Sequence, residues 1–133
     1  MYLRYIAKYF HEENQRIQYG FFWAADYLIK NVSLSIRDRE TLEKNVHWFD
    51  HNLPIPEYYQ DEKNRQLAKS ATSWYKAKAK ECIQRMNSMI PILEDHHVDV
   101  TRLKSKELIG KVIYEDNFQV TIIPFREVAK KVK

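Results

Sequence analysis

The hydrophobic and polar positions of this chain fall into two helical stripes, one shorter apolar block and several alternating runs. Ala79, Ile83, Met86, Ile90 and Leu93 follow one another at helical spacing, with Cys82 and Met89 beside them. That pattern predicts a long amphipathic helix over 77–96 whose stripe faces a core. Pro91 lies within it and predicts a kink or break, because it lacks the N–H that would bond back to Asn87. Phe21, Ala25, Leu28 and Val32 mark a short, largely buried helix over 21–32. Ser35, with Asp38 three residues on, starts another, whose stripe is Leu42, Val46, Phe49 and Leu53 and whose stop is Leu53-Pro54-Ile55-Pro56.

Strands are expected at 1–10, 72–76 and 98–103, where aromatic and β-branched residues are concentrated. Lys111–Phe125 reads as a hairpin with Asp116-Asn117 as a two-residue turn. That turn sets Ile113 opposite Val120 and Tyr114 opposite Gln119, with Ile113, Phe118, Val120 and Ile122 facing the core. Residues 11–16 read as a polar connection, 57–70 as a mobile loop and 126–133 as a basic tail that frays or forms a short helix. Together these elements predict one α+β domain over 1–133. Its mainly antiparallel sheet has about 4–5 strands, with one long helix on one face and two shorter N-terminal helices. Strands 72–76 and 98–103, if adjacent, would be parallel through a right-handed crossover.

Composition narrows the chemistry. Two glycines, Gly20 and Gly110, cannot build a phosphate-cradling loop, so Rossmann and P-loop nucleotide sites are excluded. The single cysteine, Cys82, admits no intrachain disulfide and reads as a small buried hydrophobe. Met1-Tyr2-Leu3-Arg4-Tyr5 lacks the apolar run of a secretory signal, and no stretch reaches a membrane span. A cytoplasmic location with no membrane association is expected.

The charge is uneven. Residues 1–62 carry 7 Lys/Arg against 10 Asp/Glu, residues 63–111 carry 11 against 5, and 112–133 carry 4 against 3. The positive middle, which also contains Lys63, Arg65 and Lys69, points to Tyr75, Lys76, Lys78, Lys80, Arg85, Lys104 and Lys106 as a face for nucleic acid or an acidic protein. Lysines would hold a phosphate backbone while a ring, Tyr75 rather than a buried Trp74, stacks on a base. Plain solubility is the competing account of that charge.

His47, Asp50 and His51 offer metal-binding spacing on one helix turn, but Trp48 stands where the metalloprotease pattern needs Glu. Asp95-His96-His97 is explained as a helix C-terminus favouring imidazolium. Glu12-Glu13 and Glu115-Asp116 are adjacent carboxylates that point apart. No catalytic residue and no cofactor are expected. The leading function is a non-enzymatic binding protein. The alternatives are an inhibitor or accessory factor of a bacterial or phage system acting by occlusion, and a metal-assisted enzyme using His47 and His51.

Trp48-Phe49-Asp50-His51-Asn52-Leu53-Pro54-Ile55-Pro56, Ser73-Trp74-Tyr75-Lys76, Ile83-Gln84-Arg85-Met86, and 112–120 closing on Pro124-Phe125 carry a resemblance. They resemble a family of small uncharacterised bacterial proteins with the patterns W-F-x-x-N-L-P-x-P, W-F-K, I-x-R-M and Y-x-V-Y-E-D-x-x-Q-V-x-x-x-P-F. The sequence departs from it at Tyr75 and Lys111. The resemblance implies one compact domain in a bacterial or phage cytoplasm, and no activity.

Overall fold

The computed structural model describes residues 1–54 and 71–125. The expectations for 57–70 and for the tail, and the proposed stop at Ile55-Pro56, lie outside the described residues. Strands β1 (Tyr2–His11), β2 (Arg16–Tyr19), β3 (Thr72–Lys76), β4 (Asp99–Ser105), β5 (Gly110–Glu115) and β6 (Gln119–Pro124) accompany helices α1 (Phe21–Asn31), α2 (Ile36–Asn52) and α3 (Lys80–Asp95). The fold is α+β. The strands are hydrogen-bonded in the order β2-β1-β3-β6-β5, with β4 also against β1, and every pairing of defined register is antiparallel.

Three sequence expectations change. Among the described residues the sheet has six strands, because Arg16–Tyr19, just after the expected polar connection 11–16, turns back on β1 as a hairpin. The longest described helix is α2, of 17 residues, while α3 has 16 and continues through Pro91. Finally, β4 pairs with β1 and not with β3.

The chain divides into two compact units. The first comprises Met1–Arg4, Pro54–Lys80 and Lys104–Lys133; the second comprises Tyr5–Leu53 and Glu81–Leu103. In the first, β3 pairs with β6 from Thr72 opposite Ile122 to Tyr75 opposite Gln119, and β1 pairs with β3 at Tyr2 and Leu3. Strand β6 is flanked on both edges, and Gln119, Val120, Thr121 and Ile122 are all buried. The hydroxyls of Ser73 and Thr121, directly opposite, satisfy each other at 2.8 Å.

The β5–β6 register departs from expectation. Tyr114 faces Thr121 and Glu115 faces Val120, with an irregularity between Val112 and Tyr114. The cause is Asp116. Its Oδ1 accepts from the backbone N–H groups of Phe118 (2.7 Å) and Gln119 (2.9 Å), and its own N–H donates to the Gln119 carbonyl. The turn therefore closes one residue later than Asp116-Asn117, on Asn117-Phe118. Val120 and Ile122 still face the core, whereas Ile113 and Phe118 are half-buried. Gly110 is required beside β6, where a Cβ would sit 2.6 Å from the Ile123 carbonyl oxygen.

In the second unit, Tyr5, Ala7 and Tyr9 of β1 point inward at strand spacing against Phe21, Ala24, Ala25 and Leu28 of α1. Ser35 caps α2 by accepting from the Asp38 N–H, as expected. The buried residues of α3 are Cys82, Met86, Met89, Ile92 and Leu93, so the core face is rotated from the expected stripe and Ile83 and Ile90 are half-buried. The helix ends in a Schellman motif: Val98 N–H donates to the Leu93 carbonyl and His97 N–H to that of Glu94. His97 adopts φ 66°, the left-handed position usually held by glycine.

Candidate polyanion-binding residues and the histidine pair

The seven residues singled out from the charge pattern divide between the units. Tyr75, Lys76, Lys78, Lys80, Lys104 and Lys106 belong to the first, and Arg85 to the second. Counted over the whole chain, the first unit holds 14 Lys/Arg against 7 Asp/Glu, a net +7; the second holds 8 against 11, a net −3.

Within the first unit the lysines differ in employment. Lys76 ends β3; its side chain is only 17% exposed and its ammonium lies 2.7 Å from the Glu115 carboxylate. Its N–H donates to the Phe118 carbonyl, and the next residue, Ala77, donates to that of Met1. Lys76 therefore ties β3 to the hairpin. Lys78 sits in the turn after β3, Lys80 is the first residue of α3, Lys104 lies near the end of β4, and Lys106 follows it in the connection to β5. All four are exposed, and none forms an ion pair among the described residues. A cation at a helix N-terminus works against the macrodipole, so Lys80 gains nothing for α3 from its charge. Tyr75 and Trp74 are both half-buried, so the expected contrast between an available Tyr75 and a buried Trp74 is not seen.

Arg85 is engaged inside the second unit. Its Nε and Nη2 donate to Glu81 Oε1 (3.2 and 3.1 Å), its Nη1 donates to Asn45 Oδ1 (3.1 Å), and its guanidinium lies 4.6 Å from the Trp48 ring centroid. Buried Asn45 in turn donates to the Thr41 carbonyl and Ser88 hydroxyl. This arginine joins α3 to α2.

His47 and His51 stack on the exposed side of α2, their centroids 3.9 Å apart and His51 Nδ1 2.9 Å from the His47 carbonyl oxygen. With Asp50 they form no group of three ligating side chains, and the described residues contain no such group elsewhere. His96 and His97 instead line a cleft of about 360 Å³ in the second unit, together with Tyr9, Tyr27, Leu28 and Val98. Burial raises the Tyr9 phenol, and the neighbouring Tyr27 and Asp26 reinforce that shift.

A polar cluster that sequence spacing does not reveal surrounds Asp116. Tyr114 OH donates to its Oδ2 at 2.6 Å, and Gln119 Nε2 donates to Oδ2 and to the Pro54 carbonyl. Burial alone would raise the Asp116 carboxyl, but the hydrogen bonds from Tyr114, the Phe118 and Gln119 backbone and the Gln119 side chain outweigh it. Its pKa is held below the ordinary value. Among the described residues no helix is long and apolar enough to cross a membrane.

Comparison with known proteins adds no relative: no family model, curated protein or solved structure matches the chain.

Proposed function

We propose that the protein is a non-enzymatic binding module whose basic unit docks the phosphate backbone of a nucleic acid. One observation carries this reading: the net +7 of the first unit, with Lys78, Lys80, Lys104 and Lys106 exposed and without ion pairs among the described residues. Lys76 and Arg85, part of the original sequence grouping, act in the fold. Tyr75 and Trp74, both half-buried on the same unit, are the rings placed to meet a base. Long-range attraction to a polyanion needs unneutralised charge on a folded scaffold, and loss of counterions from the nucleic acid supplies the free energy.

The test is binding of labelled single-stranded and duplex oligonucleotides at low salt, with parent protein and with a Lys78→Glu/Lys80→Glu/Lys104→Glu/Lys106→Glu variant. The parent should bind and the folded variant should not. Absence of parent binding, with retention of an acidic protein instead, would replace nucleic acid with that partner.

A further inference from the structure

The cleft of about 360 Å³ in the second unit is used neither by polyanion docking nor by the histidine pair of α2. Its volume lies in the range of small-molecule sites. The floor is apolar, with Tyr9, Leu28 and Val98 buried and Val32 half-buried beside them. Phe10, Glu12 and His97 are exposed at its mouth, with His96 half-buried. Rings run together along one side. The Tyr27 centroid lies 5.3 Å from that of Tyr9 and 4.8 Å from that of His11, the planes tilted by 36° and 44°. Both phenol oxygens are engaged: Tyr9 donates to Gln18 Oε1 and Tyr27 accepts the Glu12 N–H, each at 3.3 Å.

The charge around this cleft is negative. It opens beside the C-terminus of α3, the negative end of that helix, whose last turn carries Glu94 and Asp95 and no basic residue. Glu12, Glu94 and Asp95 are exposed, and none forms an ion pair among the described residues. Asp26, although paired with Lys30 at 2.9 Å, acts in the same sense. After burial and Tyr27, its charge helps to hold the Tyr9 phenol above the ordinary value. Among the described residues, no Lys or Arg lines the cleft.

We infer that this cleft binds a small quaternary ammonium ion, a second binding function separate from polyanion docking. The negative surroundings select a cation, and the rings of Tyr9, Tyr27 and Phe10 attract its charge through their quadrupoles. The lining then discriminates among cations. A primary ammonium brings N–H donors that an apolar floor and two engaged phenols leave unsatisfied, at a desolvation cost. A quaternary ion has no N–H to satisfy and spreads its charge over methyl groups, which pack against Leu28, Val32 and Val98. Glu12 and His96 stand at the mouth, where a polar tail such as a hydroxyl would meet them. The site lies wholly in the second unit and is independent of the polyanion reading.

Solution NMR of the full chain tests it, with choline, its neutral carbon isostere dimethylbutanol, and ethanolamine titrated separately through the millimolar range. All three carry a hydroxyethyl group; they differ in presenting a methylated cation, no charge, or an N–H cation. Choline should shift the Tyr9, Tyr27 and His96 resonances saturably and bind at least about fivefold more tightly than either of the others. Tyr27→Leu should weaken choline about tenfold, and Glu12→Lys, which places a competing ammonium at the exposed mouth, at least about threefold. Should Tyr27→Leu misfold, Glu12→Lys and the ligand series decide. Absence of choline-dependent shifts at these residues overturns the inference. So does equal affinity for dimethylbutanol, which would reduce the site to an apolar cleft. Tighter binding of ethanolamine, or choline affinity untouched by Glu12→Lys, overturns it as well.

Discussion

Arg85 of the second unit and the exposed lysines of the first are used in opposite ways. In the second, Arg85 is built into the fold between Glu81, Asn45 and Trp48. In the first, among the described residues, Lys76 is the one cation in an ion pair, with Glu115. Lys78, Lys80, Lys104 and Lys106 lie in turns or at the ends of elements, where their charge supports no neighbour among the described residues. The difference separates structural charge from charge left for solvent or a partner, and position shows which is which. Lys76 and Arg85 are held because their elements face other elements. Lys78 and Lys106 sit on connections, and Lys80 and Lys104 at or next to the ends of elements; connections are the part of a fold that carries function most readily.

The comparison breaks first if the second unit's packing is misassigned. Met86→Asp would bury an unpaired carboxylate on the inner line of α3 and should abolish soluble, folded protein, a loss above about 4 kcal/mol. Ile83→Asp, half-buried on the flank, should remain folded with reduced thermal stability. Equal damage from both would restore the unrotated stripe.

The next largest effect concerns Asp116, the most heavily hydrogen-bonded carboxylate among the described residues of the first unit. Asp116→Ala removes the acceptor for two backbone donors and Tyr114, at a cost of about 1–3 kcal/mol by denaturant titration. Because its folded pKa is lowered, this contribution is complete above the ordinary carboxylate value of 3.8. It is lost as pH falls through the folded value. The stability gap between parent and variant should therefore close on acidification through and below pH 3.8. A gap independent of pH there would mean that the carboxylate charge is not what holds the turn.

Arg85→Ala sharpens the comparison directly. It should cost on the order of 1–2 kcal/mol, from lost charge-assisted hydrogen bonds and ring stacking. Oligonucleotide affinity should stay within a factor of about two, since a single charge removed from a site outside the docking face alters little. A large affinity loss with intact stability would move Arg85 into the binding face. The smallest effect is His97→Gly, which relieves a left-handed residue and should stabilise by about 1 kcal/mol in thermal unfolding.

Much of this fold is legible in the sequence because the signals are local. Ser35 and Asp38 announce α2, and the apolar spacing announces α1 and α3. Strand β2 escapes because four residues, Arg16–Tyr19, follow a polar run and show an alternation too short to weigh. The facing of α3 escapes because Ile83 and Ile90 flank a line of Cys82, Met86, Met89 and Leu93 that is less hydrophobic in composition yet better buried. The hairpin register escapes because one side chain, Asp116, resets the turn. At the candidate site, charge type is visible in sequence but employment is not. Nothing in the spacing of Lys76 or Arg85 reveals that Glu115, 39 residues away, or Asn45, 40 away, will claim it.

The central claim is that the exposed lysines of the first unit meet phosphates, and the salt dependence of binding tests it most directly. Fluorescence anisotropy of a labelled single-stranded oligonucleotide, titrated at several salt concentrations, gives the slope of log K against log salt. Four phosphate contacts predict a slope near about −3, at roughly −0.7 per contact on single strands. Replacing Lys78 and Lys80 by Gln should reduce its magnitude by about 1.4, while Arg85→Ala leaves it unchanged. A parent that ignores the oligonucleotide at low salt, or a slope untouched by the lysine replacements, would contradict the account.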